Sequence, residues 1–254
     1  GAKKSYRREG LRARLDTSVE RDIDIVTAAE ITDPGDRVPV VNKETGVPQE
    51  ILFVDNSAAN GGDGSNESPF NSLSDAENAA SAHTIIYLRS GDGTRSNQDR
   101  GITLNKEGQQ LIGEGSAFVF DGDRFSTANG ATPSSVVIAK AGTAPVIGNL
   151  DAEEDGVRIE ADNVKVAGIT VDNANIGRDG IVVEADGAAN SAQNVSIENV
   201  TVMNNRMGIY VHGTNGGAVS AKVQQSIATG NRQHGIAVYD DTNGEFDVDL
   251  GGGA

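Results

Sequence analysis

The sequence predicts an all-β protein built as a β-solenoid, with short strands coiled around one long core. A Gly-apolar-x-apolar segment recurs as Gly156-Val157-Arg158-Ile159, Gly180-Ile181-Val182-Val183, Gly208-Ile209-Tyr210-Val211 and Gly235-Ile236-Ala237-Val238, with glycines 24, 28 and 27 residues apart. Each unit then adds further short strands separated by Gly, Asn or Asp turns, the signature of coils stacked at about 4.8 Å. Composition agrees, since glycine fills 32 of 254 positions, nearly twice its usual share.

In chain order the sequence opens basic. Residues 1–21 carry Lys3, Lys4, Arg7, Arg8, Arg12, Arg14 and Arg21 against Glu9, Asp16 and Glu20, so they are +4 while the remaining 233 residues are −20. With no aromatic interleaving and no amphipathic stripe, this stretch reads as a solvated tether or a segment docked on the acidic body. Asp22 to Val26 alternates with period two and reads as a short strand. Pro34, Gly35, Pro39, Gly46 and Pro48 mark 32–49 as linker or loop. The expected division is a basic, partly extended leader over 1–50 and a solenoid over 51–254.

Ile51-Leu52-Phe53-Val54 is a compact strand signal, followed by a Gly/Asn/Asp/Ser-rich loop over 56–69. Ser74 and Glu77 have capping-box spacing, and Leu73, Ala76, Ala79 and Ala80 share a helical face, so a short helix over 75–82 is expected to cap the first coil. Ile85 to Leu88 reads as a buried strand, and Ile102 to Leu104 and Leu111 to Ile112 are further apolar segments. Phe118 to Phe120 and Val136 to Ile138 look like strands whose register is not readable. Within the repeats, Asn173, Asn204 and Asn231 each lie two residues past the coil's last strand. Stacked, their amides are expected to form a hydrogen-bonded ladder, with Asn205 exposed beside it. Gly156, Gly180, Gly208 and Gly235 mark the repeat turns. Loops 56–69, 121–135 and 185–194 are expected to present variable surface.

These repeats resemble right-handed parallel β-helix proteins of the pectate-lyase-like architecture. The stretch from Phe53-Val54-Asp55-Asn56 through Asn60-Gly61-Gly62-Asp63-Gly64-Ser65, Ser68-Pro69-Phe70, Leu73 and Ile85-Ile86-Tyr87-Leu88 is more specific. With Gly101-Ile102-Thr103-Leu104 and Gln110-Leu111-Ile112-Gly113-Glu114-Gly115, it resembles the passenger start of inverse autotransporters, the intimin/invasin-like surface proteins. Leu15 to Val26 is similar to the linker that leaves their outer-membrane barrel. The resemblance implies a right-handed hand, an extracellular place on a bacterial surface, and an outer-membrane anchor in a region beyond this sequence. The run Leu250-Gly251-Gly252-Gly253-Ala254 falls mid-coil, as expected of a piece of a longer protein, and an open coil edge invites end-to-end self-association.

Composition narrows the chemistry. A net charge of −16 with no cysteine argues against nucleic-acid partners and excludes thiol chemistry and cysteine–zinc sites. No apolar run approaches a membrane span, so direct membrane insertion is not expected. A glycosidase needs two carboxylates about 5–10 Å apart. Asp172 with Asp179, or Asp151, Glu153, Glu154 and Asp155, are candidates, and Arg158 and Arg178 flank acids as a lyase requires. No repeated placement of acids and arginine on one face is visible, and no catalytic residue is assigned. No cofactor is expected beyond calcium, for which Asp55, Asp63, Asn66 and Glu67 beside the glycine-rich loop are candidate ligands. His83, His212 and His234 are far apart in sequence and read as surface residues. The expected function is a rigid stalk or adhesin binding a surface protein or glycan of a host or neighbouring cell. A β-helix polysaccharide lyase or hydrolase, and a self-assembling structural solenoid, are the alternatives.

Overall fold

The computed structural model describes residues 31–33, 36–38, 40–120, 125–127, 136–149, 154–172, 177–241 and 244–251. The strand expected at 22–26, Asn173, Asp151, Glu153 and most of loop 121–135 lie outside the described residues.

Strands β1 (Ile31–Asp33) and β2 (Asp36–Val38) form an antiparallel pair, and β3 (Val40–Asn42) follows. Then come β4 (Ile51–Val54), helix α1 (Leu73–Ala79) and β5 (Ile85–Leu88). The first coil begins with β6 (Ile102–Leu104) and β7 (Gln110–Gly113). It makes an excursion through β8 (Phe118–Phe120), β9 (Phe125–Thr127) and β10 (Val136–Ala139), then returns at β11 (Val146–Ile147). The second coil is β12 (Val157–Ile159), β13 (Lys165–Ala167) and β14 (Thr170–Asp172). The third is β15 (Ile181–Asp186), β16 (Ser191–Glu198) and β17 (Thr201–Met203). The fourth is β18 (Met207–Thr214), β19 (Ala218–Gln224) and β20 (Ile227–Thr229), and β21 (His234–Asp241) with β22 (Phe246–Asp249) begin a fifth.

Coil-on-coil pairing makes three parallel sheets: five strands in the order β21-β18-β15-β12-β6, seven in the order β22-β19-β16-β13-β7-β5-β4, and four in the order β11-β14-β17-β20. The protein is a parallel β-helix. Inward positions stack like on like. Ile159, Val183 and Val211 form one column, and Leu111, Val166, Ile197 and Val223 another. All of them are buried in one continuous core. Each such side chain contributes about 1.5–3 kcal/mol of burial.

The repeat glycines also stack, because Val157 pairs with Ile181, Ile181 with Ile209 and Ile209 with Ile236. A Cβ on Gly156, Gly180 or Gly208 would stand 2.6, 2.6 or 2.4 Å from the carbonyl oxygen of the next glycine in the column. These glycines are therefore strand-entry residues that allow two backbones to approach, not residues needing an unusual φ.

The seven-stranded sheet carries a second core on its outer face. Ile51, Phe53, Ile85, Tyr87, Ile112 and Ala167 point away from the coil axis and are covered by Val40, Phe118, Phe120 and Phe125. The rings of Tyr87 and Phe118 stack at 5.1 Å and those of Phe120 and Phe125 meet edge-on at 4.8 Å. Phe118 to Phe120 and Val136 to Ile138 pair antiparallel with one another outside the coils, so no coil register existed for them to share.

Three local expectations change. Residues 32–49, expected as linker or loop, hold most of the β1–β2 pair and all of β3, which pairs antiparallel with β9. Buried Asn42 donates from Nδ2 to Oε1 of buried Gln49 at 3.0 Å. The helix runs over Leu73–Ala79 rather than 75–82: Ser72 is the N-cap, its Oγ accepting from the Asp75 amide at 3.1 Å, and Ala80 is the C-cap. Leu73 is drawn into the core, and Glu77 instead accepts the Thr103 amide of β6 at 3.0 Å. Finally, 185–194 is not a loop throughout, because β15 and β16 extend into it and leave only a tight turn, with the Asn190 amide donating to the Gly187 carbonyl at 2.9 Å.

Candidate functional site

On the outer face of the five-stranded sheet, side chains alternate with the buried columns. Arg158, Val182, Tyr210 and Ala237 form one outward column. Two residues further along, Glu184, His212 and Tyr239 form the next. The Tyr210 and His212 rings stack at 5.0 Å and 17°, and His212 meets the ring of half-exposed Tyr239 at 5.2 Å. A row of three rings, with His212 between Tyr210 and the tilted Tyr239, thus runs across two coils.

Beside it lies a charge network. Asp155 and Asp179 immediately precede the stacked glycines and are buried. Asp155 Oδ1 accepts the Asp179 amide of the next coil at 3.0 Å, and Asp179 Oδ1 accepts the Met207 amide of the coil after that at 3.0 Å. Each carboxylate also holds an arginine. Arg158 Nη2 donates to Asp155 at 2.6 Å, and Arg206 donates to both oxygens of Asp179 at 2.8 and 2.5 Å. Arg158 reaches Glu184 as well, and Glu184 lies 3.7 Å from His212 Nδ1. Burial disfavours the charge on Arg158, but Asp155 and Glu184 outweigh it and raise its pKa. The bond to Asp179 raises that of Arg206. Burial and then the charge of Asp179 raise the Tyr210 phenol above its usual 10.0. Arginines locked in this way present fixed donors, and their acids have their oxygens occupied.

The chain matches, over residues 57–252, the family described as Protein of unknown function (DUF1565). The chain belongs to the DUF1565 family. No curated protein and no solved structure matches it.

In this DUF1565 chain the acids and arginines do gather on one face, contrary to the sequence expectation. Arg158 to Glu184 and Asp179 to Arg206 are pairings across coils of unequal length, which no fixed spacing reveals. The Asp-Gly dipeptides at 155 and 179 were the available signal.

The asparagines are also redistributed. Asn205, expected exposed, is fully buried, and its Nδ2 donates to Oδ1 of Asn231 at 3.1 Å. Asn204 sits outside with a left-handed φ of 59° and donates to Asp172 at 2.9 Å. The sequence register slipped because Ile227 pairs with Thr201 rather than Val200. A further asparagine rung joins Asn194 Nδ2 to Asn163 Oδ1 at 2.8 Å, both with positive φ.

Among the calcium candidates, Asp55 Oδ1 accepts from Ser57, Asp63 accepts the Ser65 amide at 2.9 Å, and Asn66 Oδ1 accepts from Arg89 at 2.6 Å. Arg89, also 3.7 Å from Asp55, supplies positive charge between them. Among the described residues, no three His, Asp or Glu side chains gather as a metal site. His234 aligns with Met207 and His212 with Tyr239, so the two histidines occupy different columns. No helix among the described residues is long and apolar enough to cross a membrane.

Proposed function

We propose that this DUF1565 chain is a bacterial cell-surface passenger module that acts as a stiff stalk and adhesin, binding a glycan through the outer face of its five-stranded sheet. The Tyr210–His212–Tyr239 row beside Arg158 and Arg206 is the observation that carries the reading. The half-exposed Tyr239 ring offers a surface to the apolar face of a sugar, and fixed guanidinium donors meet its hydroxyls. Parallel ladders on a packed Ile/Val/Leu core supply stiffness. The surface location rests on the resemblance to inverse autotransporter passengers, with the anchor in another region of the whole protein.

The acid–arginine cluster favours a second reading, a polysaccharide lyase or hydrolase of the β-helix type. Against it, Asp155 and Asp179 are buried, and each is occupied by a backbone amide and an arginine. A general acid or base needs a proton site open to substrate. The test is incubation with acidic and neutral polysaccharides, with and without calcium, reading retention and chain length together. Intact, retained polysaccharide is the expected result. Shortened chains transfer the assignment to the enzyme reading.

A further inference from the structure

The ring row ends in a field of charge that does not cancel. Arg158 is shared among three carboxylates, those of Asp155, Glu160 and Glu184. Glu184 in turn lies 3.7 Å from His212 Nδ1. Asp186, Thr214 and Asp241 form the next outward column, two residues beyond Glu184, His212 and Tyr239. Asp186 Oδ1 accepts from Asn215 Nδ2 at 2.7 Å and from the Thr214 hydroxyl at 2.8 Å. Those bonds hold its carboxyl below the ordinary 3.8, so it stays charged down to that range. Around His212 the excess charge is therefore negative.

His212 sits at the centre of this field, stacked on Tyr210 and packed against Tyr239. The titratable groups facing it are Tyr210 on its own strand, Glu184 and Asp186 on β15, and Tyr239, Asp240 and Asp241 on β21. Imidazole is the side chain whose charge changes between about pH 5 and pH 8. With His212 neutral, the negative excess repels a polyanion and leaves an uncharged chain unaffected. With His212 protonated, a positive charge appears beside the half-exposed Tyr239 ring. A unit charge about 4 Å away in water changes an affinity about fivefold. We infer that this face selects uncharged glycans over acidic ones at neutral pH, and that His212 relaxes the selection on acidification. The inference rests on the glycan reading above and adds to it the charge class of the glycan and a pH control.

The probes are dextran, hydroxyethyl-cellulose and galactomannan, each paired with its own carboxymethyl derivative. Retention by the whole chain is compared at about pH 7.5 and about pH 5.5 in the same low salt, where surface charge is least screened. At the higher pH the uncharged member of each retained pair is expected to bind at least tenfold more tightly. At the lower pH that gap is expected to narrow about fivefold. His212→Phe keeps a ring and takes up no proton, so the gap is expected to hold its neutral-pH width at both values. If that variant does not fold by circular dichroism, His212→Gln serves, with the same expectation. Asp186→Asn removes a bordering charge and is expected to narrow the gap at the higher pH. His234→Gln, in a different column, is expected to leave the pH response unchanged. Equal binding of both members at the higher pH, a gap that does not narrow on acidification, or narrowing that persists in the His212 variants overturns the inference while the glycan reading stands. Retention of no member of any pair at either pH overturns both.

Discussion

Single side chains tie one coil to the next in three ways: a buried aspartate, a buried asparagine and a glycine without a Cβ. Asn205 is fully buried and bonded to Asn231, whereas Asn204 faces solvent. Asn205→Ala is therefore expected to cost about 1–3 kcal/mol and Asn204→Ala clearly less, read as the shift in urea midpoint. Equal shifts would remove the inner rung from the account. Gly180→Ala places a Cβ 2.6 Å from a backbone oxygen, whereas at Gly235 the nearest atom is 3.2 Å away. Gly180→Ala is expected to destabilise by about 1–3 kcal/mol and Gly235→Ala by less, read as melting temperature. Glu198 supplies a pH prediction. Burial raises its pKa, but the bonds from Lys165 and Ser196 outweigh burial and leave it below the ordinary 4.5. A depressed folded pKa means the unfolded chain takes up the proton first as pH falls. The stability it contributes is present above pH 4.5 and disappears on acidification through the folded pKa, so Glu198→Gln should flatten that part of the stability–pH curve. The glycine column was legible in the sequence because its residues repeat in type and near-equal spacing. The asparagine register was not, because a shift of one residue exchanges inside for outside.

The elements divide in the same way. Ile51 to Val54 and Ile85 to Leu88 are apolar at every position, and each strand is buried on both faces, as unbroken apolar runs suggest. What covers the outer face was not readable, because β8 and β10 pair antiparallel in an excursion that shares no period with the coils. The helix was legible in type, but its start was displaced because Ser72 and Ser74 both offer a cap. The difference is Leu73, which is 1% exposed and anchors the first turn. Ser72→Ala is expected to cost about 1 kcal/mol and Ser74→Ala only a fraction of that, read by thermal melts. The reverse order would restore the cap at Ser74.

For the molecule as a whole, three parallel sheets around one coil core make a rod, and the proposed binding site lies on one of its faces. The stacking was legible as a repeat. The face was not, since Arg158, Glu184, His212 and Tyr239 lie on successive coils and meet only once the register is known. On the proposed reading, the rings on this face bind glycan without cleaving it. The most direct test compares the whole chain with its Tyr210→Ala/Tyr239→Ala variant for retention of polysaccharides, sizing the polysaccharide afterwards. The unaltered chain is expected to retain at least one polysaccharide at full length, and the folded variant to lose at least tenfold in affinity. Retention by the variant equal to that of the unaltered chain, retention by neither, or shortened polysaccharide would contradict it.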